Sequence, residues 1–163
     1  MVAVPAQDPL REQERQPSMA RHKRRSSCRR QVASVALQKH HIRRRFRGFS
    51  IQSGRGTLTC RGTLQPQQTS PCYEVQVSYK MGRVPRVVVR SPALDPEAPH
   101  RYADGSLCLY WPEEWLWRSD ALLADTIIPW TALWLCYYEL WLDTAVWLGP
   151  SSHRGKPGGE EPV

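Results

Sequence analysis

The spacing of apolar residues changes from helical to alternating within the first half of the chain. From Arg30 to Phe46, "RQVASVALQKHHIRRRF" brings Val32, Val35, Leu37 and Ile42 together at helical spacing and leaves Lys and Arg on the remaining surface. That pattern predicts a short amphipathic helix. In "GTLTCRGTL" the period becomes two, with Leu58, Cys60, Gly62 and Leu64 on one side and Thr57, Thr59, Arg61 and Thr63 on the other. A half-buried strand has this signature. Beyond the turn-rich "QPQQTSP", Tyr73, Val75, Val77 and Tyr79 alternate with Glu74, Gln76, Ser78 and Lys80, and after "KMGR" the run "VPRVVVR" places Val87 and Val89 on one face. Three successive strands with short connections predict an antiparallel meander.

The periodicity then lapses. Between Ser91 and Ser106, Pro92, Pro96, Pro99 and Gly105 forbid regular structure, so a long irregular segment must cross the surface. Long ordered loops of this kind are often functional. The later "ALLADTIIPWTALWLCYYELWLDTAVWLG" is apolar over a length sufficient to span a bilayer. Asp125, Glu139 and Asp143 argue against a span, because each would cost ~2.5 to 3.5 kcal/mol at the bilayer centre. A buried carboxy-terminal helix beginning near Ser119 or Asp120 is predicted instead. All seven tryptophans fall between Trp111 and Trp147, so this helix and the loop before it are expected to form the core against the sheet. The predicted fold class is α+β.

Composition sharpens the domain organisation. Residues 1–29 are rich in Pro, Gln, Arg and Ser and poor in large apolar side chains, which predicts a disordered basic leader. Met19 offers a second plausible start within it. The end, "SSHRGKPGGEEPV", has the composition of a linker, so the expected domain covers residues 30–149 and a disordered tail residues 150–163. The formal charge of +8 would suggest nucleic acid or an acidic membrane as partner. Residues 1–50 hold 13 Lys/Arg and 3 Asp/Glu, whereas the remainder holds 10 and 12, so the positive charge is concentrated in the first fifty residues. No aromatic residue interrupts the basic runs before Phe46, and the stacking platforms of single-strand binders are missing. Specific nucleic-acid binding is not expected. The start lacks a signal-peptide pattern, making a reducing cytoplasm the expected compartment.

Five cysteines, Cys28, Cys60, Cys72, Cys108 and Cys136, form no C-x-x-C pair. Neither structural zinc nor a disulfide framework is expected. Cys60 and Cys136 lie inside regular apolar patterns and read as packing residues, Cys28 lies in the leader, and Cys72 opens a strand. Cys108 differs, because "HRYADGSLCLYWPEEW" sets it at the end of the Pro-rich segment, just after an Asp104–Gly105 turn. Free cysteines are among the most buried residue types, so packing competes with a nucleophilic role there. His100 reads as a base, an orienting group or a loop histidine.

The order of helix, meander, Pro-rich loop, cysteine, Trp-rich turn and long helix resembles the ubiquitin-conjugating enzyme fold. In "PHRYADGSLCLYWPEEW", Cys108 stands at the nucleophile position between Leu107 and Leu109, and "SDALLADTIIPW" is similar to the opening of the helix that follows. The resemblance is closer still to the bacterial ubiquitin-conjugating-like proteins of type II CBASS antiphage operons, carried by "RGTLQP", "DGSLCLYWPEEW", "LLADTIIPW" and "YELWL" over about residues 30–150. It implies a thioester-forming acyl transferase with Cys108 as nucleophile. It needs no cofactor or metal, and its implied protein partner is a cyclic-nucleotide synthase, a cGAS-like nucleotidyltransferase. Tyr102, Asp104 and Trp111 would shape the groove or tune the incoming nucleophile.

One position departs from the family. The asparagine that supports the oxyanion would lie about eight residues before the cysteine, where this chain has His100, and the chain contains no asparagine at all. The donor is then His100, another side chain or a backbone N–H. Two competing readings follow: an inactive fold that binds the synthase, and a membrane-associated protein with the Trp-rich segment inserted.

Overall fold

The computed structural model describes residues 32–109 and 117–150. Helix α1 spans Val35–Arg45 and is followed by strands β1 (Ser50–Gly54), β2 (Thr57–Leu64), β3 (Tyr73–Lys80) and β4 (Arg86–Ser91) and by helix α2 (Ile127–Thr144). The strands form one antiparallel sheet in the order β1-β2-β3-β4, so the architecture is α+β. The expected leader, residues 151–163 of the expected tail, Cys28 and Trp111 lie outside the described residues.

The alternating segments fold as their pattern dictates. Leu58, Cys60, Gly62 and Leu64 of β2 and Tyr73, Val75, Val77 and Tyr79 of β3 are all buried, and Cys60 sits opposite Val77 in the register. Val87 of β4 extends the same inner face. Strand β1 was not expected. Four of its five residues are exposed, so it carries no apolar alternation, yet it pairs along β2 from Ser50 to Gly54. Gly56, at φ +72°, closes that tight turn in a conformation that favours glycine. The Phe49 ring just before β1 lies over Gly62, where an added Cβ would come within 2.1 Å of it.

The predicted first helix is corrected at its start and on its buried face. Ser34 caps it, its Oγ accepting from the Leu37 N–H at 3.2 Å, so the helix begins at Val35 and not at Arg30. Leu37 and Val32 are exposed, while Gln38 is fully buried beside Ile42. The Gln38 amide explains the inversion. Its Nε2 donates to the Ala121 carbonyl at 2.7 Å and its Oε1 accepts from the Leu123 N–H at 2.8 Å. A buried side chain thus satisfies backbone groups in a segment that has no ladder of its own.

Helix α2 also starts later than expected, at Ile127. Pro129 has no N–H and its ring would clash with a helical carbonyl four residues upstream, so it is tolerated only in a first turn. Residues 119–126 accordingly run as turns that clasp α1, with the Ala33 N–H donating to the Ser119 carbonyl at 2.7 Å. Ile127, Ile128, Thr131, Trp134, Leu135 and Tyr138 form the buried face of α2. Aliphatic residues therefore supply much of the core that the tryptophans were expected to build. Trp134 is buried, whereas Trp117, Trp130, Trp141 and Trp147 pack at its margin. Among the described residues, no helix is long and apolar enough to cross a membrane.

Candidate functional site

The segment after β4 remains irregular up to a single bridge between Arg101 and Leu107. Around that bridge the backbone turns as a small hairpin. The Gly105 N–H donates to the Tyr102 carbonyl at 2.9 Å, the Tyr102 N–H to the Ser106 carbonyl at 2.9 Å, and the Cys108 N–H to the His100 carbonyl at 2.9 Å. Gly105, at φ +79°, supplies the left-handed conformation that the turn requires. Asp104 reinforces it. Its Oδ1 accepts from the Ser106 N–H at 3.0 Å and from the Ser106 hydroxyl at 2.6 Å, and its other oxygen pairs with Arg86 of β4. That ion pair is largely exposed, so the two hydrogen bonds within the turn carry more of the ordering. The Leu107 N–H donates to the Val87 carbonyl at 2.8 Å, which fixes the turn to the sheet.

Side chains alternate across such a pairing, and diagonal neighbours share a face. Leu107 is buried, while Cys108 and Tyr102 emerge together on the opposite side. The Cys108 thiol donates to the Tyr102 phenol oxygen at 3.5 Å, an acceptable length for sulfur. The phenol is in turn pushed up to about 12, chiefly by its hydrogen bond with Cys108 and further by burial. Tyr102 therefore stays protonated, able to donate to a thiolate or to a developing oxyanion, throughout the neutral and mildly alkaline range.

His100 comes to the same place by a different route. It holds φ +56°, its carbonyl accepts the Cys108 amide, and its ring lies 4.8 Å from that of Trp147, tilted by 31°. Of the predicted site residues, Cys108, His100, Tyr102 and Asp104 are thus gathered in one turn, with Asp104 holding the backbone. Trp111 lies outside the described residues.

A groove of about 130 Å³, open along one side, begins at Cys108 and Leu109. Its helical wall is Trp130, Leu133, Trp134 and Tyr137 of α2, and Trp147 and Pro150 complete the lining. Trp147 packs against Trp134 and Tyr137 as well as His100, with ring centroids 5.5 and 6.0 Å apart, and so joins the loop to the helix. None of these wall residues was singled out from the sequence. The helical ones were legible as an i, i+3, i+4, i+7 face in "WTALWLCY", whereas Trp147 reaches the site only through tertiary packing. On the other flank Tyr102, Arg86 and Ser106 line a separate recess beside Val84 and Pro85.

The remaining cysteines are placed differently. Cys60 is fully buried, and burial pushes its thiol up to about 12. Cys136 is half-buried on α2 and Cys72 is exposed before β3. Among the described residues, no group of three His, Cys, Asp or Glu side chains is arranged to hold a metal ion.

Comparison with curated proteins yields no match. The family model described as "Type II CBASS E2 protein" matches residues 38–154, a span that runs from α1 to beyond α2 and includes the whole Cys108 turn. The chain belongs to the family of type II CBASS E2 proteins.

Proposed function

We propose that the chain is a conjugating enzyme of antiphage defence that carries an acyl group as a thioester on Cys108. The observation that carries this reading is the Cys108 thiol itself, partly exposed at the end of a braced turn with the Tyr102 phenol at 3.5 Å, inside the family match. The element order, a helix, a four-stranded meander, an irregular loop and a long helix, supports a fold of the ubiquitin-conjugating type. Of the other described cysteines, Cys60 is buried, whereas the half-buried Cys136 on α2 and the exposed Cys72 before β3 lie outside the Cys108 turn.

The chemistry is acyl transfer. The Cys108 thiolate adds to a carboxy-terminal carbonyl carbon already activated as a mixed anhydride or a thioester, the carbonyl oxygen takes the negative charge, and the activating group departs with its electron pair. An amine or thiol then attacks the new thioester and releases Cys108. Tyr102 supports the thiolate before attack and is placed to donate to the oxyanion during it. The Cys108 amide is directed to the His100 carbonyl, so the donor must come from elsewhere in the turn. The partner in this reading is the operon's cyclic-nucleotide synthase, whose carboxyl terminus supplies the acyl group.

The test is to co-express the chain with that synthase and compare wild type with Cys108→Ser on non-reducing gels. A thiol-cleavable adduct in wild type, replaced by a thiol-resistant ester in the variant, is the expected result. A second reading, a binding module without chemistry, is favoured by the packing of the His100 ring on Trp147, because the side chain at the asparagine offset is engaged in an aromatic contact. Co-purification without adduct in either protein would select it.

A further inference from the structure

The Cys108 sulfur stands between two unlike surfaces. On one side lies the Tyr102, Asp104 and Arg86 shelf, rich in hydrogen-bonding groups. On the other lies the groove, whose described walls carry no charged side chain and are formed by four aromatic residues, two leucines and a proline besides Cys108 itself. Leu133 at its edge is about half exposed. Leaving such a surface in water is unfavourable by roughly 25 cal/mol per Å² of apolar area, so an apolar occupant is favoured.

Acyl transfer fixes where that occupant comes from. A thioester on Cys108 places the acyl carbonyl carbon one bond from the sulfur, and the remainder of the donor must leave along a surface adjoining it. The groove reaches the sulfur directly, since Cys108 is one of its walls. Its volume, about 130 Å³, is comparable with the roughly 150 Å³ cavity that takes a benzene ring. A single large side chain fills it. A charged one would give up its hydration with no described counter-charge in the walls.

We propose that this groove binds the last residues of the acyl donor and selects donors with a large apolar side chain at one of the final two positions, leaving the polar shelf to the attacking nucleophile. This rests on Cys108 as the acyl carrier. The groove then acts as a specificity pocket, holding the chain end so that its carbonyl lies against the sulfur while charged ends are held off.

The probe is a pair of synthetic heptapeptide α-thioesters of mercaptoethanesulfonate, identical except that one ends in Leu-Phe and the other in Asp-Ser. Each is incubated with the full chain. In the productive step the Cys108 thiolate forms the new C–S bond, the original C–S bond breaks, and mercaptoethanesulfonate leaves as its thiolate and takes up the proton that Cys108 released. Adduct at Cys108 is followed by mass spectrometry of intact protein and of its peptides. Each rate is divided by that of the same thioester with N-acetylcysteine, which removes intrinsic reactivity.

The Leu-Phe thioester is expected to acylate Cys108 at least tenfold faster on this scale, and Leu133→Asp is expected to bring the two rates within about twofold. Equal normalised rates in wild type, with adduct still at Cys108, overturn the groove and leave Cys108 as carrier. Failure of both thioesters at Cys108, with N-acetylcysteine reacting normally, overturns the carrier role and the identity of the occupant together. A wild-type dimer that Leu133→Asp converts to a monomer assigns the groove to a second copy of the chain and overturns the proposal.

Discussion

Cys60 and Cys108 are the same side chain in two settings. Cys60 sits in the middle of β2 opposite Val77, enclosed by the sheet's inner face, and its thiol is held protonated by burial. Cys108 sits where a loop turns back on itself, beside a phenol and at the mouth of a groove. The difference lies in what the backbone does on either side. A strand with neighbours on both edges commits alternate side chains to one interior, whereas a turn pinned at its base commits Leu107 inward and releases Cys108 on the other face. The accessibility of these two thiols is therefore set by local topology more than by the residue.

The largest expected contrast is kinetic. In native protein at pH 7.5, iodoacetamide should alkylate Cys108 on the order of 10³-fold faster than Cys60, because Cys60 is reached only when the sheet opens. Peptide mapping after timed labelling measures both rates, and 6 M guanidinium should bring them together. Comparable native rates would mean that the sheet face is open.

Gly62→Ala attacks the sheet alone. The new Cβ would overlap the Phe49 ring, and the forced shift should cost about 1–3 kcal/mol, read as a lower urea midpoint. Cys60 labelling should accelerate in step while Cys108 labelling changes little. Asp104→Ala attacks the turn alone, removing the acceptor for the Ser106 N–H and hydroxyl. A loss of about 1 kcal/mol or somewhat more is expected, with faster hydrogen exchange at the Ser106 amide and an unaltered Cys60 rate.

The effect that is smallest at neutral pH changes sign in alkali. A thiol raised from 9.0 to about 12 in the folded chain favours folding fully below pH 9, and that contribution is lost as the pH rises through 12. Cys60→Ala should be less stable than wild type by about 1 kcal/mol at pH 7.5, through the lost packing. The gap should reverse by pH 10.5, since the titration would cost wild type on the order of 2 kcal/mol there and alanine has no proton to lose. Urea midpoints at the two pH values decide it, and a constant gap would mean that the Cys60 thiol does not titrate differently in the folded state.

Strands β2 and β3 were legible because one face is buried and every second residue records it. Strand β1 was not, since "SIQSG" contains one apolar residue and owes its conformation to pairing with β2. Hydropathy also failed at Gln38, a polar side chain in the interior whose partners, Ala121 and Leu123, lie more than eighty positions away. The late start of α2 was recorded in Pro129, though the apolar run around it suggested an earlier one. At the site, the Asp104–Gly105 turn between Tyr102 and Cys108 announced a reversal, and a reversal there makes the two diagonal neighbours. Nothing local foretold that Trp147 would pack on His100 and line the groove.

The backbone at position 100 has a consequence for which residues can be exchanged there. Its φ of +56° lies in a region that β-branched and bulky residues avoid and that asparagine, aspartate and histidine enter more readily than most. Histidine in this chain and the asparagine that the resemblance to ubiquitin-conjugating enzymes implies at this offset are thus two members of a small conformational alphabet. Exchanging one for the other would leave the turn intact, because the peptide geometry that presents Cys108 tolerates either letter.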